Sequence, residues 1–255
     1  MTCTNERVFR TFFTSTILQQ NVRILWNPTV LPLPAALHDR VLDYWETLPK
    51  DFIFNGKIAR LENWHLSENR QALDLYLRPS DYRTLMYSNA HVAQICDTWG
   101  AQYVAKVLGI SAVLRSVDGA VIAMKRSQTV GEFPGCFDVF GGHIDVAAKQ
   151  TPCVFRAMQQ ELNEEVGLLA NEYSLTLIGL IESVPNQKPE LVFLADCRLS
   201  TDQIYERAQN ARDQREYSGL ITLDDHLFVG DFLTAHHDEF SPSAYGSLCI
   251  YAQNR

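Results

Sequence analysis

The spacing of hydrophobic and polar residues changes character part-way along the chain. In the earlier part, LHDRVLDYWETL (37–48) has apolar residues at helical spacing, whereas ALDLYLR (72–78) alternates as a β-strand does. A second helix is expected after Ser80, whose side chain is placed to cap it. We therefore expect the chain to divide near residue 108, into an N-terminal part over residues 1–107 and a second domain over residues 108–255.

Short β-rich runs separated by turn residues dominate the second part of the chain. ISAVLRS and AVIAMKR flank Asp118 and Gly119, a pair that favours a tight hairpin turn. LTLIGLIES and ELVFLADC predict two further strands, and STDQIYERAQNARD predicts a helix that begins behind a Ser or Thr cap. Strands interleaved with helices indicate an α/β fold of the α+β kind, built from layers of both elements.

The segment TPCVFRAMQQELNEEVGL is predicted to be a helix with an unusual charge pattern. We expect Thr151 to cap it, Pro152 to lie in its first turn and Gly167 to follow its last. At about 100° per residue, one edge of this helix is acidic and the neighbouring stripe is apolar. The acidic edge consists of Glu161, Glu164 and Glu165, and the stripe of Phe155, Met158, Leu162 and Val166.

Three carboxylates at the margin of a buried face repel one another and resist desolvation. A cation would offset this repulsion, and hard divalent ions such as Mg²⁺ are bound by carboxylates together with substrate phosphates. The acidic edge therefore suits a metal-dependent site for phosphoryl or pyrophosphate chemistry. The alternative is a solvated acidic face that binds no ligand.

Composition and charge narrow the class of protein. Of the 255 residues, 46% are hydrophobic and 20% charged, which is typical of a globular chain, and no apolar run is long enough to span a membrane. A formal net charge of -8 argues against nucleic acid or an anionic membrane as partner. The six cysteines are scattered without CxxC pairs, and the first residues lack a secretory signal, so the cytoplasm is expected rather than the mitochondrion.

FGGHIDV, followed by the acidic helix, resembles the signature of the Nudix hydrolases, G-x5-E-x7-R-E-U-x-E-E-x-G-U, in which U is aliphatic. The matching residues are Gly142, Glu161, Leu162, Glu164, Glu165, Gly167 and Leu168. Three departures are Gln160 in place of the arginine, Ala148 in place of the first glutamate, and four extra residues between Gly142 and Glu161. The resemblance implies a Nudix fold, in which a mixed sheet is sandwiched between helices.

The chain is similar to the animal UDP-glucose and UDP-galactose diphosphatase branch of that family in four features. These are the expanded loop, Gln160, the sequence GGH and the upstream segment LYLRPSDYRTLMYSN. This similarity implies that residues 1–107 form a smaller, β-containing N-terminal lobe packed on the Nudix core. It also implies hydrolysis of a small-molecule nucleotide sugar to UMP and a hexose 1-phosphate, with Mg²⁺ as cofactor and Mn²⁺ as an alternative. Other Nudix substrates, namely ADP-ribose, coenzyme A or capped RNA, stay open. So does a non-catalytic, nucleotide-binding Nudix protein that has lost turnover together with its arginine and first glutamate.

The chemistry of diphosphate hydrolysis assigns expected roles to the signature residues. Metal ions would be held by Glu161, Glu164, Glu165 and the backbone carbonyl of Gly142 or its neighbour, because glycine lets the chain bend sharply and approach an ion closely. Catalysis is assigned to Glu161 and Glu165. Gln160 is expected to orient the neighbouring carboxylate through its amide, without adding charge.

Three further polar residues have two interpretations each. Glu216 precedes a β-like run and is either an additional metal ligand or base, or a surface charge. His143 follows the glycine pair and either binds substrate phosphate or bonds the backbone of its loop. Arg126 ends the AVIAMKR strand and either binds substrate or faces solvent.

Overall fold

A computed structural model describes residues 8–50, 53–146, 150–223 and 226–254. Its strands are β1 (Phe9–Ile17), β2 (Val22–Trp26), β3 (Lys57–Leu66), β4 (Leu73–Asp81), β5 (Gly109–Arg115), β6 (Val121–Arg126), β7 (Phe137–Asp138), β8 (Phe140–His143), β9 (Tyr173–Ser183), β10 (Lys188–Cys197) and β11 (Tyr217–Leu223). Its α-helices are α1 (Ala35–Thr47), α2 (Tyr82–Thr98), α3 (Val154–Val166), α4 (Thr201–Ala208), α5 (His226–Ala235) and α6 (Pro242–Gln253).

The larger of two sheets has eight strands in the order β1-β9-β10-β5-β6-β11, with β7 beside β6 and β8 beside β5. β10 and β5 are parallel, whereas β9 pairs antiparallel with both β10 and β1. The sheet is therefore mixed, as expected. The hairpin between β5 and β6 turns at Gly119, whose φ of 89° lies in the left-handed region that glycine adopts readily.

Helices cover both faces of this sheet because successive strand residues point to opposite sides. On β5, Ile110, Ala112 and Leu114 pack in the cluster that contains the apolar stripe of α3, whereas Val113 packs in the cluster that contains α6. β10 alternates in the same way, with Phe193 on the α3 side and Val192 on the α6 side. The predicted layering, a mixed sheet between helices, is confirmed.

The smaller sheet has the order β2-β4-β3, and its residues share a hydrophobic cluster with the larger sheet. Backbone bonds join the two units, since Ala59 donates to the carbonyl of Ile144 and Leu108 donates to the carbonyl of Ala59, both at 2.9 Å. β1 lies in the larger sheet although it precedes the smaller one along the chain. The division at residues 107 and 108 stays a prediction.

Two of the expected helix starts are wrong. α2 is capped by Asp81, whose carboxylate accepts a 3.0 Å bond from the N–H of Thr84, while Ser80 still belongs to β4. Thr151 and Pro152 precede α3, because Cys153 is still extended, with φ -126° and ψ 108°, and the helix begins at Val154.

The predicted ends and remaining caps agree with the structure. Gly167 follows α3 with a left-handed φ of 73°, and its N–H bonds to the carbonyl of Asn163. Ser200 caps α4 in a capping box with Gln203. Across the described residues, none of the helices is long and apolar enough to cross a membrane.

Candidate active site

A cavity of about 650 Å³ opens beside the acidic edge of α3. Its wall includes Gly141 and Gly142 of β8 and the side chains of Glu161 and Glu164. Tyr82, from α2 in the earlier part of the chain, also lines it. The cavity therefore joins the signature residues to the region that precedes them in the sequence.

Glu165 lies behind this wall and is 2% exposed. Its Oε2 accepts a 2.8 Å hydrogen bond from the N–H of Gly141, and the hydroxyl of Tyr217 donates to its backbone carbonyl at 3.1 Å. Its Oε1 is buried and has no hydrogen-bond partner among the described residues. Burial, followed by the charges of Glu161 and Glu216, raises the pKa of Glu165 well above its usual value. One carboxylate oxygen is thus fixed and the other is left for a ligand.

Glu161 faces the cavity directly and approaches the backbone of Gly142. A Cβ atom on Gly142 would lie only 2.5 Å from Glu161 Oε1, so a glycine is required for the carboxylate to sit there. Burial and the neighbouring Glu164 raise the pKa of Glu161 to about 8. The carboxylate is therefore held near the chain in a place where its ionised form is disfavoured.

Without bound metal, neutralising Glu161 should stabilise the protein at high pH. The folded-state pKa of about 8 exceeds the ordinary value of 4.5, so the wild type loses stability as pH rises between these values. In EDTA, we expect Glu161→Gln to raise Tm by a few degrees at pH 9, at about 2–4 °C per kcal/mol for a chain of this size. At pH 4.5 the gain should disappear.

The matched control for this melting experiment is Glu206→Gln, which removes an exposed carboxylate from α4. It should leave Tm unchanged at both pH values. A Glu161→Gln gain that is equal at pH 4.5 and pH 9 would contradict the repulsion account.

Glu164 is bonded to two side chains through the same oxygen. The amide of Gln160 donates to Glu164 Oε1 at 3.1 Å, and Nη1 of Arg212 lies 2.7 Å from that atom. Gln160 therefore contacts the glutamate four residues later, and not the adjacent Glu161 as expected. Arg212 belongs to the connection between α4 and β11 and was not singled out from the sequence.

Glu216 lines the same cavity from the segment that precedes β11. It is more than one-third exposed, and its partial burial raises the pKa of its carboxyl while Arg126 opposes the shift. Its backbone carbonyl accepts a 2.8 Å bond from the N–H of Ser127. Glu216 therefore lies both at the cavity and at the protein surface, and its role as a ligand or base stays a prediction.

Arg126 and His143 also line the cavity. The guanidinium of Arg126 is bonded to neighbouring residues of the chain. Nη1 lies 2.9 Å from Asp138 Oδ2, and Nε donates to the carbonyl of Glu132 at 3.0 Å. His143 belongs to β8, and its Nε2 has no hydrogen-bond partner in the described parts of the chain. Burial lowers the pKa of His143 to about 3, so the ring is neutral at physiological pH.

Sequence reasoning missed Glu132 and Lys188, which meet in this cavity. Lys188 Nζ lies 3.3 Å from Glu132 Oε2, and Asn89 of α2 donates to Glu132 Oε1 at 2.9 Å. Burial alone would raise the pKa of Glu132, but the nearby Lys188 lowers it to about 2. Both residues lie in turn-like sequence, GEFPG and PNQK, where a charge normally indicates solvent exposure.

The donor set fits a hard divalent cation. In the positions that the side chains occupy without a metal, no three Asp, Glu, His or Cys residues within the described ranges are grouped closely enough to hold an ion. However, the unpaired Oε1 of Glu165 and the repulsion that raises the pKa of Glu161 are both features that a bound cation would relieve. Ala148, at the position of the first signature glutamate, lies outside the described residues.

Three proteins that the chain resembles are named as hydrolases or pyrophosphatases. No family model matches it. Nudix hydrolase 9 of Arabidopsis thaliana is 26% identical over 245 residues, which cover 81% of this chain and 79% of that protein. The Mus musculus uridine diphosphate glucose pyrophosphatase NUDT22 is 26% identical over 250 residues, covering 86% and 81% respectively. The Xenopus laevis m7GpppN-mRNA hydrolase NUDT17 matches 53% of this chain and 46% of its own length at 25% identity.

The residues of α3 keep the spacing of the Nudix signature, since Glu161, Glu164, Glu165 and Gly167 stand at its positions. Gly142, which lets Glu161 approach the backbone, lies four residues farther from Glu161 than the signature has it. The mixed sheet between helices is the architecture expected with that signature. The chain is therefore similar, over most of its length, to proteins of the Nudix hydrolase superfamily.

Proposed function

We propose that this enzyme hydrolyses the diphosphate of UDP-glucose and UDP-galactose to UMP and a hexose 1-phosphate, with Mg²⁺ or Mn²⁺ as cofactor. The observation that carries the proposal is the acidic edge of α3, which meets Gly142 at the wall of a cavity that also contains Arg126 and Lys188. Carboxylates suit bound cations, and the basic groups suit the anionic or polar parts of a nucleotide sugar.

The chain's own residues divide the work of the reaction. Glu161, Glu164, Glu165 and the carbonyl of Gly142 would hold the metal. When bound, the metal would neutralise diphosphate oxygens and lower the pKa of a water molecule. Glu165 is positioned for this task because the N–H of Gly141 fixes its Oε2 at 2.8 Å.

Proton transfer needs a carboxylate that faces the substrate. Glu161 and Glu216 both line the cavity, and either could accept the proton of the attacking water at a carboxylate oxygen. The oxygen of that water would form a new bond to phosphorus while the bridging P–O bond breaks. The two products then carry one phosphate each, which is the stoichiometry of UMP and hexose 1-phosphate.

The choice of a UDP-hexose rests on cavity size and on the relatives. A cavity of about 650 Å³ has the volume of a typical small-molecule site. Tyr82 of α2 lines it, so the region before the signature contributes to recognition. The mouse relative is a uridine diphosphate glucose pyrophosphatase, and the frog relative, an m7GpppN-mRNA hydrolase, supplies the competing substrate class.

A substrate panel should rank UDP-hexoses first. UDP-glucose, UDP-galactose, ADP-ribose, coenzyme A, a cap dinucleotide and nucleoside triphosphates would be compared by product release with Mg²⁺. We expect UMP from both UDP-hexoses, and EDTA should abolish its release because the diphosphate charge is then not neutralised.

Three outcomes of this panel, combined with calorimetry, separate the alternative functions. Faster cleavage of ADP-ribose or the cap dinucleotide would replace the substrate class while keeping the hydrolase. Calorimetric binding of UDP-glucose without UMP release would support a nucleotide-binding protein without turnover. Activity that persists in EDTA would contradict the role of the acidic edge.

A further inference from the structure

Two donors from distant parts of the chain converge on one carboxylate oxygen. Gln160, one turn before Glu164 on α3, donates to its Oε1 at 3.1 Å. Arg212 lies 48 residues after Glu164 and its Nη1 is 2.7 Å from the same atom. Position 160 is where the Nudix signature carries arginine. A guanidinium is thus present at this glutamate, but it comes from another segment.

The backbone holds the segment of Arg212 against α3. The N–H of Asp213 bonds to the carbonyl of Glu164 at 2.8 Å, and Nε of Arg212 lies 3.3 Å from Oδ1 of Asp213. The Tyr217 hydroxyl bonds to the carbonyls of both Glu165 and Ala208, tying the end of α3 to the end of α4. The backbone position of Arg212 therefore follows from bonds that do not involve its charge, while its guanidinium is paired with both Asp213 and Glu164.

Arg212 faces several carboxylates of the site. Glu164, Asp213 and Glu161 all raise the pKa of its guanidinium, and Arg212 in turn lowers the pKa of Glu216. The Gln160 amide adds no charge to this group. On α3 itself, Arg156 is exposed and forms no hydrogen bond or ion pair with any residue the structure describes. Within those residues, Arg212 is the cation bonded to the acidic edge.

We propose that Arg212 is a positioning residue of the metal site, which holds Glu164 through Oε1 in place of the arginine that the signature carries at position 160. The inference rests on the proposed function only in taking the acidic edge as a cation site, whatever the substrate. A guanidinium fixed on one oxygen orients the carboxylate and reduces its freedom before a metal binds.

If Arg212 only competed with the metal for Glu164, its removal would change the metal affinity in the opposite direction. Arg212 is 71% exposed, so its pair with Glu164 contributes little to stability, and a bound metal has only to displace it. If Arg212 merely competes with the metal, its removal should tighten metal binding, and salt should screen that gain. If it positions Glu164, its removal should weaken binding, and the loss should persist in salt.

The test is calorimetric titration of the full chain with Mn²⁺, without substrate, at about 0.1 M and about 0.5 M NaCl, where screening differs strongly. We expect Arg212→Gln to weaken Mn²⁺ binding about tenfold at both salt concentrations, as loss of an orienting partner does. Arg156→Gln is the matched control and should bind as wild type does. Gln160→Arg combined with Arg212→Gln should recover most of the affinity, because residue 160 already reaches the same oxygen.

The outcomes separate this inference from the substrate proposal. Unchanged or tighter Mn²⁺ binding by Arg212→Gln, or a double variant no better than the single one, would overturn the positioning role. Circular dichroism and Tm in EDTA should match wild type within a few degrees, since the Arg212 side chain is largely exposed; a larger loss would indicate a structural role instead. Failure to cleave UDP-hexoses would leave the titration result intact, because no substrate is present in it.

Discussion

Glu165→Gln and Glu161→Gln are each expected to lower kcat by about 10² to 10⁴, because each removes a metal-ligand charge or a positioned base from the transition state. Glu165 should show the cleaner effect. Glutamine can still accept the bond from the N–H of Gly141, so the local geometry is kept while the charge is lost.

Steady-state kinetics with UDP-glucose, combined with Mn²⁺ titration, would measure both effects. Glu206→Gln, on the exposed face of α4, is the control and should retain wild-type kcat. The folded state should persist in all three proteins, because removing one of several repelling carboxylates does not destabilise the cluster. Full activity in both active-site variants would exclude the acidic edge from the mechanism.

Gly142→Ala is expected to lower kcat by about 10²-fold while the protein stays folded. The added Cβ would lie 2.5 Å from Oε1 of Glu161, which is the free end of a flexible side chain. The carboxylate must therefore move away from the glycine, and a displacement of about 1 Å at a catalytic group is enough for a loss of this size.

Alanine substitutions at two other glycines serve as comparisons for Gly142→Ala. At Gly219 nothing lies within 4 Å of an added Cβ, so Gly219→Ala should leave kcat unchanged. At Gly141 the added atom would meet the backbone of Ile110 and Ser111, which cannot rotate away, so Gly141→Ala should lower Tm as well as kcat. Wild-type kcat and metal affinity in Gly142→Ala would show that the position of Glu161 beside the glycine has no catalytic importance.

Much of the architecture could be predicted because it depends on local periodicity. The apolar stripe of α3 contains Phe155, Met158 and Leu162, and all three pack in the core as their helical spacing requires. Gly167 was predictable because the left-handed position after a helix favours glycine. The starts of α2 and α3 were less predictable, since Ser80 and Asp81 both offer a capping side chain for α2, and Cys153 precedes α3 without a side-chain cap bond that would mark a helix start.

The partners of the acidic edge could not be predicted in the same way. Arg212 and Glu132 reach the cavity from connections and Lys188 from the first residue of β10, places where a charged residue usually indicates a solvated surface. Their proximity depends on tertiary bonds such as that from Asp213 to the carbonyl of Glu164, which join segments far apart in sequence. A periodic pattern carries no information about such pairs.

The position of β1 limits how the chain could be shortened. Phe13 and Ile17 are buried in the core and Phe9 packs on the other face, while the strand covers the outer side of β9. A fragment that begins after residue 17 would leave a row of unpaired N–H and C=O groups along β9, which invites association between copies. The chain leaves the larger sheet after β1 and returns to it at β5, so the smaller sheet is topologically an insertion. A minimal catalytic fragment would therefore have to keep β1 and lose only the internal segment between β1 and β5.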